Sequence, residues 1–110
     1  VPKWDYIGHM RVIAVKTLRD FWLRYPDSQQ GLRAWYEEAV ASSWRTPAEV
    51  KAVFANASIL QNGRTVFNIS GNKYRLVVDI AYRVQLIFIK FIGTHQQYDK
   101  IDAQTVDWED

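Results

Sequence analysis

Cysteine is absent from this chain of 110 residues. That excludes disulfide frameworks, thiolate metal sites and cysteine nucleophiles, and the expected compartment is the reducing cytoplasm. No run of 18 or more apolar residues occurs, which excludes a transmembrane helix and gives no reason to expect a membrane partner. Histidine is limited to two positions, His9 and His95. No His, Cys or carboxylate cluster has metal-ligand spacing, so neither a metal nor a cofactor is expected. Repeats, low-complexity stretches and linkers are also missing, which leaves one domain. What is present is apolar: 48% hydrophobic and 15% aromatic residues, too much for a disordered tail. A chain of this length buries roughly two thirds of the surface that its unfolded form exposes.

The net charge of +2 hides an uneven distribution. Residues 1–50 are nearly balanced. Residues 51–100 hold seven Lys/Arg against only Asp79 and Asp99, and residues 101–110 hold four carboxylates and no base. A basic middle and an acidic tail cancel, and such a middle is a candidate surface for a polyanion. The tail is a candidate to fold over it.

Residues 1–9 precede the only methionine, Met10, and read as an upstream extension or expression remnant; the domain is then 10–101 and the acidic tail 102–110. Arg11 to Lys16 is short and β-branched, which predicts a strand. Thr17 with Asp20 reads as a helix cap ahead of Leu18, Phe21, Trp22 and Tyr25, and Pro26 stops that helix. Asp27 with Gln30 repeats the cap pattern before an apolar face of Leu32, Trp35, Tyr36, Ala39, Val40 and Trp44. Thr46-Pro47-Ala48-Glu49 is the strongest cap and opens a short third helix. Asn62-Gly63 then predicts a tight hairpin. Three strands follow: Thr65–Ile69, Tyr74–Tyr82 with Tyr74, Leu76, Val78, Ile80 and Tyr82 on one face, and Gln85–Ile92. The fold class is α+β: an N-terminal strand, then two to three helices packed on a mainly antiparallel sheet of four to five strands.

Two segments concentrate chemistry, 66–76 (VFNISGNKYRL) and 92–100 (IGTHQQYDK). If strands 74–82 and 85–92 are antiparallel neighbours, Lys73 and Arg75 lie beside Thr94 and His95. Cations suit a pentavalent phosphate transition state, and imidazole or phenol suits proton transfer.

The pattern F-N-I-x-G-N-K-Y-R-L followed by F-I-G-T-H-x-x-Y-D-K resembles the HigB branch of the RelE-like bacterial toxins, over Met10 to about Val106. That resemblance implies a RelE/ParE-like fold and a ribosome-dependent mRNA endonuclease of a type II toxin–antitoxin module. Cleavage would use the RNA's own 2′-hydroxyl without a metal. By the same resemblance Arg75 stabilises the phosphorane, His95 is an acid or base, and Tyr98 stacks on a base or supports proton transfer. Lys73, Asn72, Asn68 and Lys100 would hold RNA or phosphate. The implied partners are a HigA-type antitoxin with a helix-turn-helix domain, the ribosome and mRNA, with DNA reached only through the antitoxin.

Plainer readings stand beside these. His95 can simply end a strand, Arg75 can pair with Asp79 on the same strand face, and Gly71-Asn72 can be turn residues with positive φ. Asp99 and Lys100 can pair with each other. Trp4 and Trp108, in the terminal segments, are candidates for contacts between chains. A ParE-like gyrase poison on the same fold, or an RNA-binding module without turnover, are the alternative functions. The second requires an exposed aromatic sheet face, whereas both strand faces are expected to be covered by helices.

Overall fold

The computed structural model describes residues 9–107; the reading of residues 1–9 as an extension and the contacts suggested for Trp4 and Trp108 fall almost wholly outside that range. Its elements are β1 (Arg11–Ile13), α1 (Val15–Arg24), α2 (Gln29–Ala41), α3 (Pro47–Val53), β2 (Ser58–Ile59), β3 (Arg64–Ile69), β4 (Tyr74–Ala81), β5 (Leu86–Thr94) and α4 (His95–Tyr98). They form one five-stranded sheet in the order β1-β5-β4-β3-β2. Only β1–β5 is parallel. The fold is the expected α+β arrangement with an N-terminal strand. The parallel pairing follows from the helices that intervene between β1 and the meander, since a parallel return needs a crossover.

Strand alternation builds the core. Tyr74, Leu76, Val78 and Ile80 of β4 are buried with Ile87, Ile89 and Ile92 of β5 and Phe67 and Ile69 of β3. Against them pack Leu18 of α1 and Leu32, Trp35 and Ala39 of α2. Phe67 lies at the centre of an aromatic group, 5.1 to 6.4 Å between ring centroids from Phe54, Trp35 and Trp44. Burying one such side chain stabilises by roughly 1.5–3 kcal/mol.

Several local expectations are corrected. The first strand is three residues long, and α1 begins at Val15 with Ala14 as its N-cap, so Thr17 lies inside the helix. Asp27 does not cap α2. It sits in a 3-10 turn, Pro26–Ser28, and its carboxylate is engaged elsewhere. Trp44 lies beyond the end of α2 yet is still core. The Thr46 cap is as predicted: its hydroxyl accepts from Glu49 N at 3.3 Å, and the Glu49 carboxylate accepts from Arg45 N at 3.2 Å. Asn62 and Gly63 adopt φ of 57° and 81° as the hairpin signal requires. A Cβ at Gly63 would lie 2.4 Å from the Ile80 carbonyl oxygen. In the next turn the left-handed residues are Ser70 and Gly71, not Gly71 and Asn72. The β4–β5 connection spans residues 82–85 and ends in Gln85, φ 61°, whose amide donates to the Trp44 and Tyr82 carbonyls at 2.8 Å each.

The two faces of the sheet are covered differently. Helices pack on one. The other presents Arg64, Val66 and Asn68 of β3 beside Asp79, Val77 and Arg75 of β4. A C-terminal segment crosses it: Arg64 Nη1 donates to the carbonyls of Val106 at 2.6 Å and Ala103 at 3.3 Å. Helices therefore do not cover both faces, and the acidic tail belongs partly to the sheet's cover. Asp107 pairs with Lys90 at 3.0 Å, three residues before Gly93.

Candidate active site

The site forms where β4 starts and β5 ends. Tyr74 is opposite Thr94 and Arg75 is opposite Gly93, so the sheet register alone brings the two sequence segments together. The chain then turns into α4. Thr94 caps this turn in a reciprocal box: its hydroxyl accepts from Gln97 N at 3.1 Å and Gln97 Oε1 accepts from Thr94 N at 2.9 Å. The His95 backbone N–H donates to the Lys73 carbonyl at 2.9 Å and locks α4 onto the start of β4. Gly93 leaves room for this: a Cβ there would lie 2.6 Å from Phe91 Cζ and 2.8 Å from Gln97 Oε1.

On the face away from the helices, half-buried Arg75 lies over the Tyr98 ring, its Cζ 5.8 Å from the ring centroid. Phe91 supports Tyr98 from beside, with centroids 6.5 Å apart. The Arg75 Nη1 donates to the carbonyls of Asn72 at 3.0 Å and Tyr74 at 3.3 Å. Two backbone acceptors thus orient the guanidinium from one nitrogen, and among the described residues Nε and Nη2 have no hydrogen-bond partner, so they can meet a phosphate. His95 is exposed, and its Nδ1 lies 3.5 Å from the Asp99 carboxylate one helical turn on. The exposed ring is accessible for proton exchange.

Each residue singled out in the sequence has a definite place. Arg75 and Tyr98 meet, and His95 begins the same helical turn that carries Tyr98, its ring beside Asp99. Asn72 contributes the carbonyl that holds Arg75, and Asn68 is the direct cross-strand neighbour of Arg75 on β3, exposed. Lys100 is exposed just after α4. Lys73 points elsewhere: its ammonium is paired with Asp27 at 2.9 Å, beside Tyr74, whose hydroxyl donates to the same carboxylate. These bonds hold the Asp27 carboxyl below its ordinary value, the Tyr74 hydrogen bond foremost and the Lys73 bond next, while the carboxylate pushes the Tyr74 phenol up to about 12. Arg75 does not pair with Asp79, because Asp79 lies opposite Arg64 and takes its guanidinium at 2.7 Å. Asp99 is beside His95 rather than Lys100.

The basic middle of the chain is consequently much smaller as a surface than as a count. Arg64 is buried, Lys73 and Lys90 are paired, and Lys51 donates to the carbonyls of Ala55 and Ala57. Sequence reasoning missed Asp27, Phe91 and the helical turn at 95–98. The T-x-x-Q spacing of Thr94 and Gln97 carried the signal for that turn. Nothing local marks Asp27 as a partner of Lys73 and Tyr74, which are more than 45 residues away. Among the described residues, no group of three or more His, Asp or Glu side chains is placed to hold a metal ion.

Residues 28–101 match the family model described as HigB_toxin, the RelE-like toxic component of a toxin–antitoxin system. The chain is 29% identical over 96 residues to the mRNA interferase toxin HigB of Escherichia coli, covering 86% of this chain and 92% of that protein. An mRNA interferase HigB of Shigella flexneri matches to the same extent.

Proposed function

Since the chain belongs to the HigB family of RelE-like toxins, the toxic components of toxin–antitoxin systems, we propose that it is an endoribonuclease that stops translation by cutting mRNA on the ribosome. The observation that carries the reading is the β4–β5 register, which brings Arg75 over Tyr98 at the sheet end where His95 begins α4. In the reaction, the 2′-hydroxyl oxygen of one nucleotide attacks the adjacent phosphorus while its proton leaves to a base. The bond from phosphorus to the 5′-oxygen breaks, and that oxygen takes up a proton. The products are a 2′,3′-cyclic phosphate and a 5′-hydroxyl. Arg75 faces the charge that builds on the non-bridging oxygens, and a positioned cation there is worth roughly 10²–10³ in rate. His95 moves the proton at Nε2, while Asp99 beside Nδ1 favours the tautomer with its hydrogen on Nδ1. Tyr98 offers a ring for a splayed base and holds the Arg75 head. The nucleophile comes from the substrate, so the step needs no metal.

Neutralisation is by a HigA-type antitoxin carrying a helix-turn-helix domain, through which the pair reaches operator DNA. The site of action is the cytoplasm, and no described helix is long and apolar enough to cross a membrane.

The test is induction in a bacterial host followed by primer extension on cellular mRNA. The unaltered chain should arrest growth and leave 5′ ends within codons; Arg75→Ala and His95→Ala should each relieve the arrest while remaining folded by circular dichroism. Persistent toxicity in both variants at equal expression overturns the site. Arrest with DNA damage and uncut mRNA would instead establish the gyrase-poison alternative.

A further inference from the structure

Beyond Asn68 the sheet end opens into a cleft of about 300 Å3, bounded by Phe54, Asn56, Phe67, Asn68 and Gly71. It exists because β2 is short. That strand pairs with β3 only at Ser58–Val66 and Ile59–Thr65, so the edge of β3 past Val66 has no neighbouring strand. The chain before β2 swings aside, and Lys51 fixes its path by donating to the carbonyls of Ala55 and Ala57 at 2.8 and 2.9 Å. The cleft wall is therefore held in shape before any ligand arrives.

Its chemistry differs from that of the Arg75 site. None of the lining residues is charged, which makes it a poor place for a phosphate. Phe54 supplies an apolar wall. Asn56 and Asn68 are exposed and neither carboxamide has a hydrogen-bond partner among the described residues, so each offers a free donor and a free acceptor. Neutral amides beside an aromatic edge suit a nucleobase, since single-stranded RNA is read by stacking and by hydrogen bonds to base edges. Position agrees with chemistry. Asn68 is directly opposite Arg75, and such cross-strand pairs have Cβ atoms roughly 5 Å apart. A phosphate on Arg75 thus brings a flanking base within reach of Asn68.

We infer that this cleft receives the base next to the cleaved phosphate and that Asn68 and Asn56 select it, making the cleft the determinant of sequence preference at that position. The inference rests on the endoribonuclease reading, and the experiment separates the two. Genome-wide mapping of 5′ ends would follow induction of the unaltered chain and of the Asn68→Ala and Asn56→Ala variants. Asn56→Ala should still cut, and among the cuts that either variant makes, base preference at one position beside the cut falls by roughly tenfold, the discrimination a lost amide pair represents. Cutting with an unchanged preference in both variants overturns the cleft assignment and leaves the endoribonuclease reading intact. If the unaltered chain cuts no RNA, that reading fails, and the cleft is judged by titrating the isotopically labelled chain with each of the four nucleoside monophosphates. Base-dependent shifts of the Asn56 and Asn68 side-chain amides then sustain base selection; shifts that are absent or identical for all four overturn it.

Discussion

Arg64 and Arg75 sit on the same face of the same sheet, on adjacent strands, and do opposite work. Arg64 is buried, with Asp79 on its Nε and two carbonyls of the C-terminal segment on its Nη1. Every direction in which it could meet a substrate is filled by its own chain. Arg75 is held by two carbonyls on one nitrogen and lies over a ring, and the rest of its guanidinium has no hydrogen-bond partner among the described residues. Both count equally in a charge sum, yet only one belongs to a surface. What separates them is the supply of partners: among the described residues, the C-terminal segment reaches the Arg64 end of the face and not the Arg75 end.

The comparison can be broken by exchanging losses. Arg75→Ala should lower mRNA cleavage by roughly 10²–10³ in single-turnover assays, with thermal stability nearly unchanged. Arg64→Ala should show the reverse. Removing one partner of a buried pair costs about 3 kcal/mol, readable as a lowered denaturant midpoint, while cleavage per folded molecule persists. If Arg64→Ala lost cleavage at full stability, the distinction would collapse.

Smaller effects sharpen the picture. The Lys90–Asp107 pair is partly exposed, so Lys90→Ala should cost under about 1 kcal/mol, and less at high salt. A urea titration at two ionic strengths measures both. The Asp27–Tyr74 contact predicts a pH window at each end. The phenol's ordinary value is 10.0 and its folded value about 12, so the stability it contributes is full below pH 10 and is lost as pH rises from 10 through 12. Asp27 is lowered from 3.8, so its contribution is present above that pH and is lost as pH falls through the lower folded value. Tyr74→Phe should flatten the alkaline limb of the stability profile; an unchanged limb would mean that the hydroxyl bond contributes nothing.

Legibility in the sequence followed the range of the interaction. The Thr46 cap, the Asn62-Gly63 turn and the alternation of β4 are each set within a few residues, and all three are found where local patterning puts them. Even the backbone adjacency of residues 73–75 and 93–95 is readable, because adjacent antiparallel strands leave little choice of neighbours. The failures were of partners. Asp27 has the appearance of a helix cap and becomes the acceptor of Lys73 and Tyr74. Asp79 has the spacing to pair with Arg75 and goes to Arg64.

By itself, then, the sequence determined the order of the main helices and strands, the buried face of the sheet and which segments carry the cations, imidazole and phenol, since period, capping and residue chemistry are local properties. Only the tertiary structure decided which of those cations remain free. A charged side chain takes whichever partner the fold brings within about 3 Å, and that choice depends on strand register and on where the C-terminal segment crosses the sheet.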